Sequence, residues 1–160
     1  MLHQELLAHL KYQPETGHWI RLQRAGSGLA GSRADSLTKG SKYFQVRVFG
    51  KQFNAHRLAW FYMTGNWPTW QIDHVDGLRH NNKWSNLREA TQQQNQGNQK
   101  KHRDNTGGFK GVRKSGRKWV ASIGKNYQNI YLGTFNTAEE AAAAYKKAAQ
   151  VQYGVFARAG

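Results

Sequence analysis

Two runs of short strands, each closing on a capped helix, predict an α+β chain made of two small modules. Three observations carry this. Residues 43–49 (YFQVRVF) alternate side chains on either side of a turn, the period of a half-buried strand. Thr91 with Gln94, and Thr137 with Glu140, each have the spacing of a capping box, in which a hydroxyl and a carboxamide or carboxylate reciprocally satisfy the first turn of a helix. Between them, residues 98–118 hold eight basic residues and one acid around Gly107-Gly108, the composition of a flexible, solvated tether. With 160 residues in all, each module has a thin core and modest stability.

The elements follow in order. Leu2, Leu6, Leu7 and Leu10 lie on one helical stripe and predict an opening helix that ends before Pro14. Residues 17–22 read as a strand, and the Gly- and Ser-rich residues 26–42 as a loop. The strand at 43–49 turns at Gly50-Lys51 into a partner at 52–53. Asn54 is placed to cap the helix AHRLAWFYMT, which Gly65 ends with Pro68 beyond it. Leu58, Ala59 and Tyr62 share a face of that helix. Arg57 and His56 sit in its first turn, where backbone N–H groups favour anions. Arg57 is therefore a candidate phosphate contact, while His56 fits a phosphate contact and a buried, hydrogen-bonded histidine equally. Residues 71–75 form a strand, 76–86 a polar loop and 87–90 a returning strand, and a helix starts at Gln92 with Asn95 in its first turn. Strands at 109–113, 117–125 and 129–134 precede a helix from Ala138, whose small residues allow it to lie close on a sheet.

The charge balance names a partner class. Lys and Arg number 24 against 9 acidic residues, for a net charge of +15. That excess is larger than solubility needs and is the footprint of a polyanion binder. It falls as +6 over residues 1–70, +2 over 71–107 and +7 over 108–160, so the flanks are suited to phosphates and the centre keeps its carboxylates. There is no cysteine, which excludes disulfides and thiolate metal sites and permits a reducing compartment. The N-terminus lacks a signal-peptide pattern and no stretch reaches membrane-spanning length, so the expectation is a soluble protein of the cell interior with no membrane partner.

The central segment carries the chemistry. Asp73-His74, Asn86 and Asn95 supply a base and two oxygen ligands for one metal. Phosphodiester hydrolysis needs a deprotonated water and a stabilised leaving oxygen, which a general base and one divalent cation provide. His74 ionises near neutrality and suits the base; Asp73 and Asn95 are hard oxygen ligands suited to Mg2+ or Mn2+. Adjacent strand residues point to opposite faces, so Asp73 and His74 serve together only if the strand ends there, as the Asp76-Gly77 turn allows. With AHRLAWFYMTGNWP upstream and NLREAT downstream, residues 43–98 resemble the HNH endonucleases, whose fold is a beta-beta-alpha metal finger. The resemblance implies that Asp73 and Asn95 hold the metal, that His74 is the general base, and that Asn86 braces the loop and orients the base. Asn95 stands where most of the family has its last histidine, a variant of phage-type and homing members.

The C-terminal part has its own signature. GVR, WVASI, YLGTF and TAEEAAAAY over residues 109–157 resemble the plant ethylene-response-factor (AP2-type) DNA-binding domain, a three-stranded antiparallel sheet backed by one helix that is laid in the major groove. The resemblance implies Lys110, Arg113 and Tyr131 as contacts and Trp119, Ile123, Leu132 and Phe135 as core. Ser122, Gly124 and Asn129 replace charged readers of that family. Lys114, Arg117, Lys118 and Lys125 supply salt-dependent phosphate affinity. The expectation is a metal-dependent, homing-type endonuclease acting on double-stranded DNA, nicking one strand per site, as a monomer or a dimer assembled on DNA. Its parts are a nuclease domain with an N-terminal extension over 1–98, a basic linker over 99–108 and an AP2-like domain over 109–160. The rival readings are a sequence-specific DNA-binding regulator with a decayed nuclease fold, and an RNA-binding sheet.

Overall fold

The computed structural model describes residues 2–101, 104, 105, 107–125 and 128–158. The chain mixes helix and strand, with four α-helices and several small sheets among the described residues. It forms two compact units, Met1–Glu89 and Ala90–Gly160.

In the first unit, α1 (His3–His9) opens with the Leu2 N–H donating to Glu5 Oε2 at 2.8 Å. The leucine stripe predicted a longer helix. Instead Leu10 is extended and begins β1 (Leu10–Gln13), because alternation of Leu10 and Tyr12 buries both side chains where continued helix would have carried Tyr12 off the apolar face. β1 pairs antiparallel with β2 (His18–Arg21), Leu10 opposite Arg21 and Gln13 opposite His18. The stretch read as loop contains a two-residue strand, β3 (Asp35–Ser36). It is pinned by the buried Asp35, whose Oδ1 accepts the Trp19 N–H at 2.9 Å and whose Oδ2 pairs with Arg33 at 2.8 Å.

β3 joins β4 (Gln45–Val48) and β5 (Lys51–Asn54) in one antiparallel sheet. The hairpin turns at Phe49-Gly50, one residue earlier than predicted, with φ of +50° and +71°. Two left-handed residues match the twist of paired strands, and the Phe49 ring is held edge-on to His9 at 4.7 Å. α2 (Ala55–Thr64) follows directly and ends at Gly65, φ +75°. Asn54 makes no side-chain cap bond, because it is still the last residue of β5. Leu6, Trp19, Val46, Leu58 and Ala59 form the centre of the core. β6 (Gln71–His74) pairs with β7 (Leu87–Ala90), joined through a 3-10 turn at Trp84–Asn86.

The second unit contains α3 (Gln92–Asn98), opened by the predicted capping box: Thr91 Oγ1 accepts the Gln94 N–H and Gln94 Oε1 the Thr91 N–H. β8 (Val112–Ser115), β9 (Lys118–Lys125) and β10 (Gln128–Phe135) form an antiparallel sheet in the order β10-β9-β8. α4 (Ala138–Tyr153), with its capping box at Thr137 and Glu140, packs Ala141, Tyr145, Ala149 and Tyr153 with Val112, Ala121 and Ile123 of the sheet. Gly111, φ +71°, lets the Tyr145 ring lie against its Cα, where a Cβ would collide with that ring. The described residues of 99–108 belong to this unit: the Asn105 amide donates to Phe109 O and the Gly107 N–H to Asn105 Oδ1, both at 2.8 Å. His102, Arg103 and Thr106 of the expected linker lie outside the described residues. No described helix is long and apolar enough to cross a membrane.

Candidate active site

Asp73 and His74 are the last two residues of β6, and both are buried, at 5% and 4% exposure. The strand stops there because the chain turns at once: the Gly77 N–H donates to His74 O at 2.8 Å, with Gly77 at φ +67°. Asp76 organises the turn. Its carboxylate accepts from the Leu78 N–H at 2.7 Å, the Asn81 amide at 2.6 Å and the Asn86 amide at 3.0 Å. Burial works to raise the Asp76 carboxyl, but these hydrogen bonds outweigh it and hold it below the ordinary range. Asn86, also buried, completes the loop: its amide also donates to Asn81 O at 2.8 Å and its Oδ1 accepts the Asp76 N–H at 3.0 Å. One side chain thus ties both ends of the 76–86 loop together.

The side chains around the two buried groups have distinct effects. Arg88 on β7 sends Nε and Nη2 to Asp73 Oδ2, at 3.0 and 2.9 Å, so a guanidinium compensates the buried carboxylate. Asn82, 2% exposed, places Oδ1 at 3.0 Å from His74 Nε2. An amide oxygen only accepts, so Nε2 carries the proton and the basic lone pair lies on Nδ1. His56, from the first turn of α2, sets its ring edge-on to His74 at 5.1 Å, and the Tyr43 ring lies near-parallel to His74 at 6.2 Å with the Arg79 guanidinium over Tyr43 at 5.5 Å. Burial lowers the His74 imidazole, opposed by the Asn82 hydrogen bond and the charges of Asp76 and Asp73. Burial drives His56 further, to about 3, with His74 and Arg57 adding to the effect.

The spacing had drawn attention to Asp73, His74 and Asn86, and the first unit gathers these three around one loop. Asn95 is in the middle of α3, in the second unit. Three further side chains at the site are not marked by the spacing: Asn82 in the polar loop, Arg88 on β7 and Tyr43 before β4. None has a local signal, since each meets its partner across the fold. His56 is the buried histidine of its two readings, and its Nδ1 meets no hydrogen-bond partner among the described residues. Among the described residues, no three His, Cys, Asp or Glu side chains gather round one point. The Asp73 carboxylate is a hard oxygen donor, of the kind a divalent cation takes alongside water and phosphate oxygens.

The basic residues expected to meet DNA divide into two groups. Arg113 and Lys114 on β8, Arg117 in the following turn, Lys118 on β9 and Tyr131 on β10 are all exposed. The Tyr131 hydroxyl bonds locally, to Thr134 Oγ1 at 2.6 Å, and the Lys114 ammonium lies 5.9 Å from the Trp119 ring centre. Lys110 and Arg57 instead hold backbone: Lys110 Nζ donates to Gly97 O at 2.7 Å, and Arg57 to Trp70 O at 3.2 Å and Pro68 O at 3.4 Å. Partial burial, with Arg158 nearby, pushes the Lys110 ammonium down to about 8.

Residues 53–96, which contain the buried Asp-His pair at a strand end, the asparagine-braced loop and the returning strand, match the family profile of the HNH endonucleases. That segment is thus similar to the HNH endonucleases. The chain is 39% identical over 87 residues to an uncharacterised HNH endonuclease of Acanthamoeba polyphaga mimivirus, covering 54% of this chain and 44% of that protein. It is also 49% identical over 53 residues to dehydration-responsive element-binding protein 2A of Arabidopsis thaliana, and 48% over 61 residues to protein 2E of the same plant; each match covers 31% of this chain, and 16% and 25% of those proteins. The chain spans less than half the length of each of these relatives, and the likeness to the two plant proteins is weak and partial. No solved structure matches.

Proposed function

We propose that this chain is a metal-dependent DNA endonuclease of homing type, with His74 as general base, Asp73 and Asn95 as metal ligands and Asn86 as the brace of the catalytic loop. The observation that carries the reading is the buried Asp73-His74 pair at the end of β6, inside the segment that matches the HNH profile. Burial keeps the His74 ring neutral at ordinary pH, which is the state a base requires. Asn82 fixes the tautomer that offers Nδ1 to an attacking water, and the proton then resides on His74. Asp73 and Asn95 would hold a divalent cation, Mg2+ or Mn2+, which would neutralise charge at the phosphate and at the leaving oxygen.

Double-stranded DNA is the proposed substrate and partner. The nuclease module over 1–98 is joined by the basic segment 99–108 to a DNA-binding module over 109–160, in which Arg113, Lys114, Arg117, Lys118 and Tyr131 face the duplex. Lys110 and Arg57, engaged with backbone carbonyls, shape the surfaces beside them. Tethering raises the effective concentration of the cutting site at bound DNA, and one site per chain nicks one strand. The ion pair of Arg88 with Asp73 favours a DNA-binding protein that does not cut.

Conversion of supercoiled plasmid to relaxed circle separates the two readings. Nicking by the wild type in Mg2+ or Mn2+, lost in chelator and lost in His74→Ala, is the expected result. Tight duplex binding without cleavage, on DNA carrying the bound site, establishes the regulator instead.

A further inference from the structure

The strongest unassigned feature lies outside the segment that matches the nuclease family. The matched segment begins at residue 53, yet the β1–β2 hairpin, residues 10–21, grips the loop behind His74 at three points. The Tyr12 hydroxyl, buried with its ring at 2% exposure, donates to Asn82 O at 2.5 Å. Pro14 O accepts the Trp84 N–H at 2.9 Å. Gly17, φ +76°, leaves the space into which the Asn82–Lys83 peptide is pressed; a Cβ there would strike the Asn82 carbonyl carbon and come within 2.6 Å of Lys83 N.

The gripped residue is the one that touches the base. Asn82 spends its backbone carbonyl on Tyr12 and its side-chain oxygen on His74 Nε2. A buried asparagine whose backbone is fixed has few rotamers left, so fixing the carbonyl fixes the direction of Oδ1. We infer that the N-terminal hairpin is a positioning device for the nuclease site, in which Tyr12 and Gly17 hold Asn82 so that its amide oxygen sets the ring orientation and tautomer of His74. The inference rests on the reading of His74 as the base. Burial raises the Tyr12 phenol, which keeps its hydroxyl a donor across ordinary pH.

The alternative is that the hairpin only covers core. Tyr12 and Trp19 do pack together and with Tyr62, with ring centres 5.1 to 5.9 Å apart, and this packing survives loss of a hydroxyl. Tyr12→Phe therefore isolates the grip from the packing, whereas Gly17→Ala risks misfolding and serves only as a supporting variant.

The experiment uses the full chain at one fixed pH and two readouts. The ring 15N shifts of His74 report its tautomer without any cleavage, and nicking kinetics separate kcat from KM. Tyr12→Phe is expected to lower kcat about fivefold, the scale of one lost buried hydrogen bond, and Asn82→Ala about 10- to 100-fold, as when the group orienting a catalytic ligand is removed. KM stays near the wild-type value in both, and the His74 spectrum moves away from the Nε2–H tautomer. Asn82→Asp, which keeps an acceptor oxygen, recovers much of the loss. Unchanged kcat and unchanged tautomer in Tyr12→Phe and Asn82→Ala, with His74→Ala inactive, overturn the inference and leave the base assignment standing. Full activity in His74→Ala removes the base itself and the inference with it. A fall in melting temperature with wild-type kcat and tautomer makes the hairpin structural only.

Discussion

At the scale of single residues, the site is a set of buried polar groups, each costly unless compensated. Asp73 is compensated by Arg88, and breaking a buried pair from one side costs about 3 kcal/mol or more, because the other charge is left in low dielectric. Arg88→Ala is thus expected to lower the stability of the metal-free chain by that order and to regain part of it in excess Mg2+ or Mn2+, a cation replacing a cation beside the carboxylate. Thermal unfolding with ion and with chelator measures both; a deficit that ions leave untouched argues against Asp73 as a ligand. His56 makes a pH prediction. Its folded value is about 3, depressed chiefly by burial, while the unfolded chain titrates near 6.5. Between these values the unfolded chain binds the extra proton, so stability is intact above about 6.5 and falls on acidification by about 1.4 kcal/mol per pH unit down to about 3. Urea melts from neutral to acid pH, compared with His56→Phe, should show a shallower acid loss in the variant; parallel curves would remove His56 as the source. Asp73, His74 and Asn86 could be picked from sequence because their spacing and residue types point to one chemistry. Asn82, Arg88 and Tyr43 could not, since an asparagine in a polar loop reads the same whether it meets water or a histidine ring.

At the scale of elements, local hydrogen-bond chemistry was the reliable guide and tertiary pull the source of the differences. The capping boxes at Thr91 and Thr137 form as spelled out, because their partners are three residues away and need nothing else. Asn54, read by the same rule, makes no side-chain cap bond, since strand pairing with Gln45 claims it first. β3 was hidden because two residues carry no period; only Asp35, reaching Trp19 and Arg33, makes a strand of them. The cap of α4 gives the prediction here: Thr137→Ala removes the hydroxyl that accepts the Glu140 N–H at 3.2 Å and should cost the second unit about 1 kcal/mol. Denaturant unfolding of this variant, beside Glu140→Gln, which keeps a reciprocal acceptor, checks it. Equal losses in both would assign the effect to the Glu140 charge at the helix start instead of to the box.

At the scale of the whole molecule, charge and covalent order say more than either unit alone. The net charge of +15 lies mainly in the two flanks, and the central stretch that keeps Asp73, Asp76 and Glu89 is the least basic. Cations stand in the central stretch too, Arg88 against Asp73 among them, so the flanks carry the larger share of the positive field and not all of it. Duplex affinity then depends on released counterions, and each phosphate neutralised adds about 0.9 to the slope of log K against log salt. Arg113, Lys114, Arg117 and Lys118 lie exposed on one short stretch, β8 to the start of β9. Replacing all four by Gln should reduce that slope by roughly 3 to 4 and weaken binding to all duplexes alike, since phosphate contacts carry no base identity. Tyr131→Ala, which removes no charge, should leave the slope unchanged and alter affinity only through its ring. Titrations at several salt concentrations give both numbers. A slope that survives the fourfold replacement would move the phosphate contacts to the first unit, where Arg24, Lys39, Lys42, Arg47 and Lys51 are exposed, and the molecule would then grip DNA from the same unit that holds Asp73 and His74.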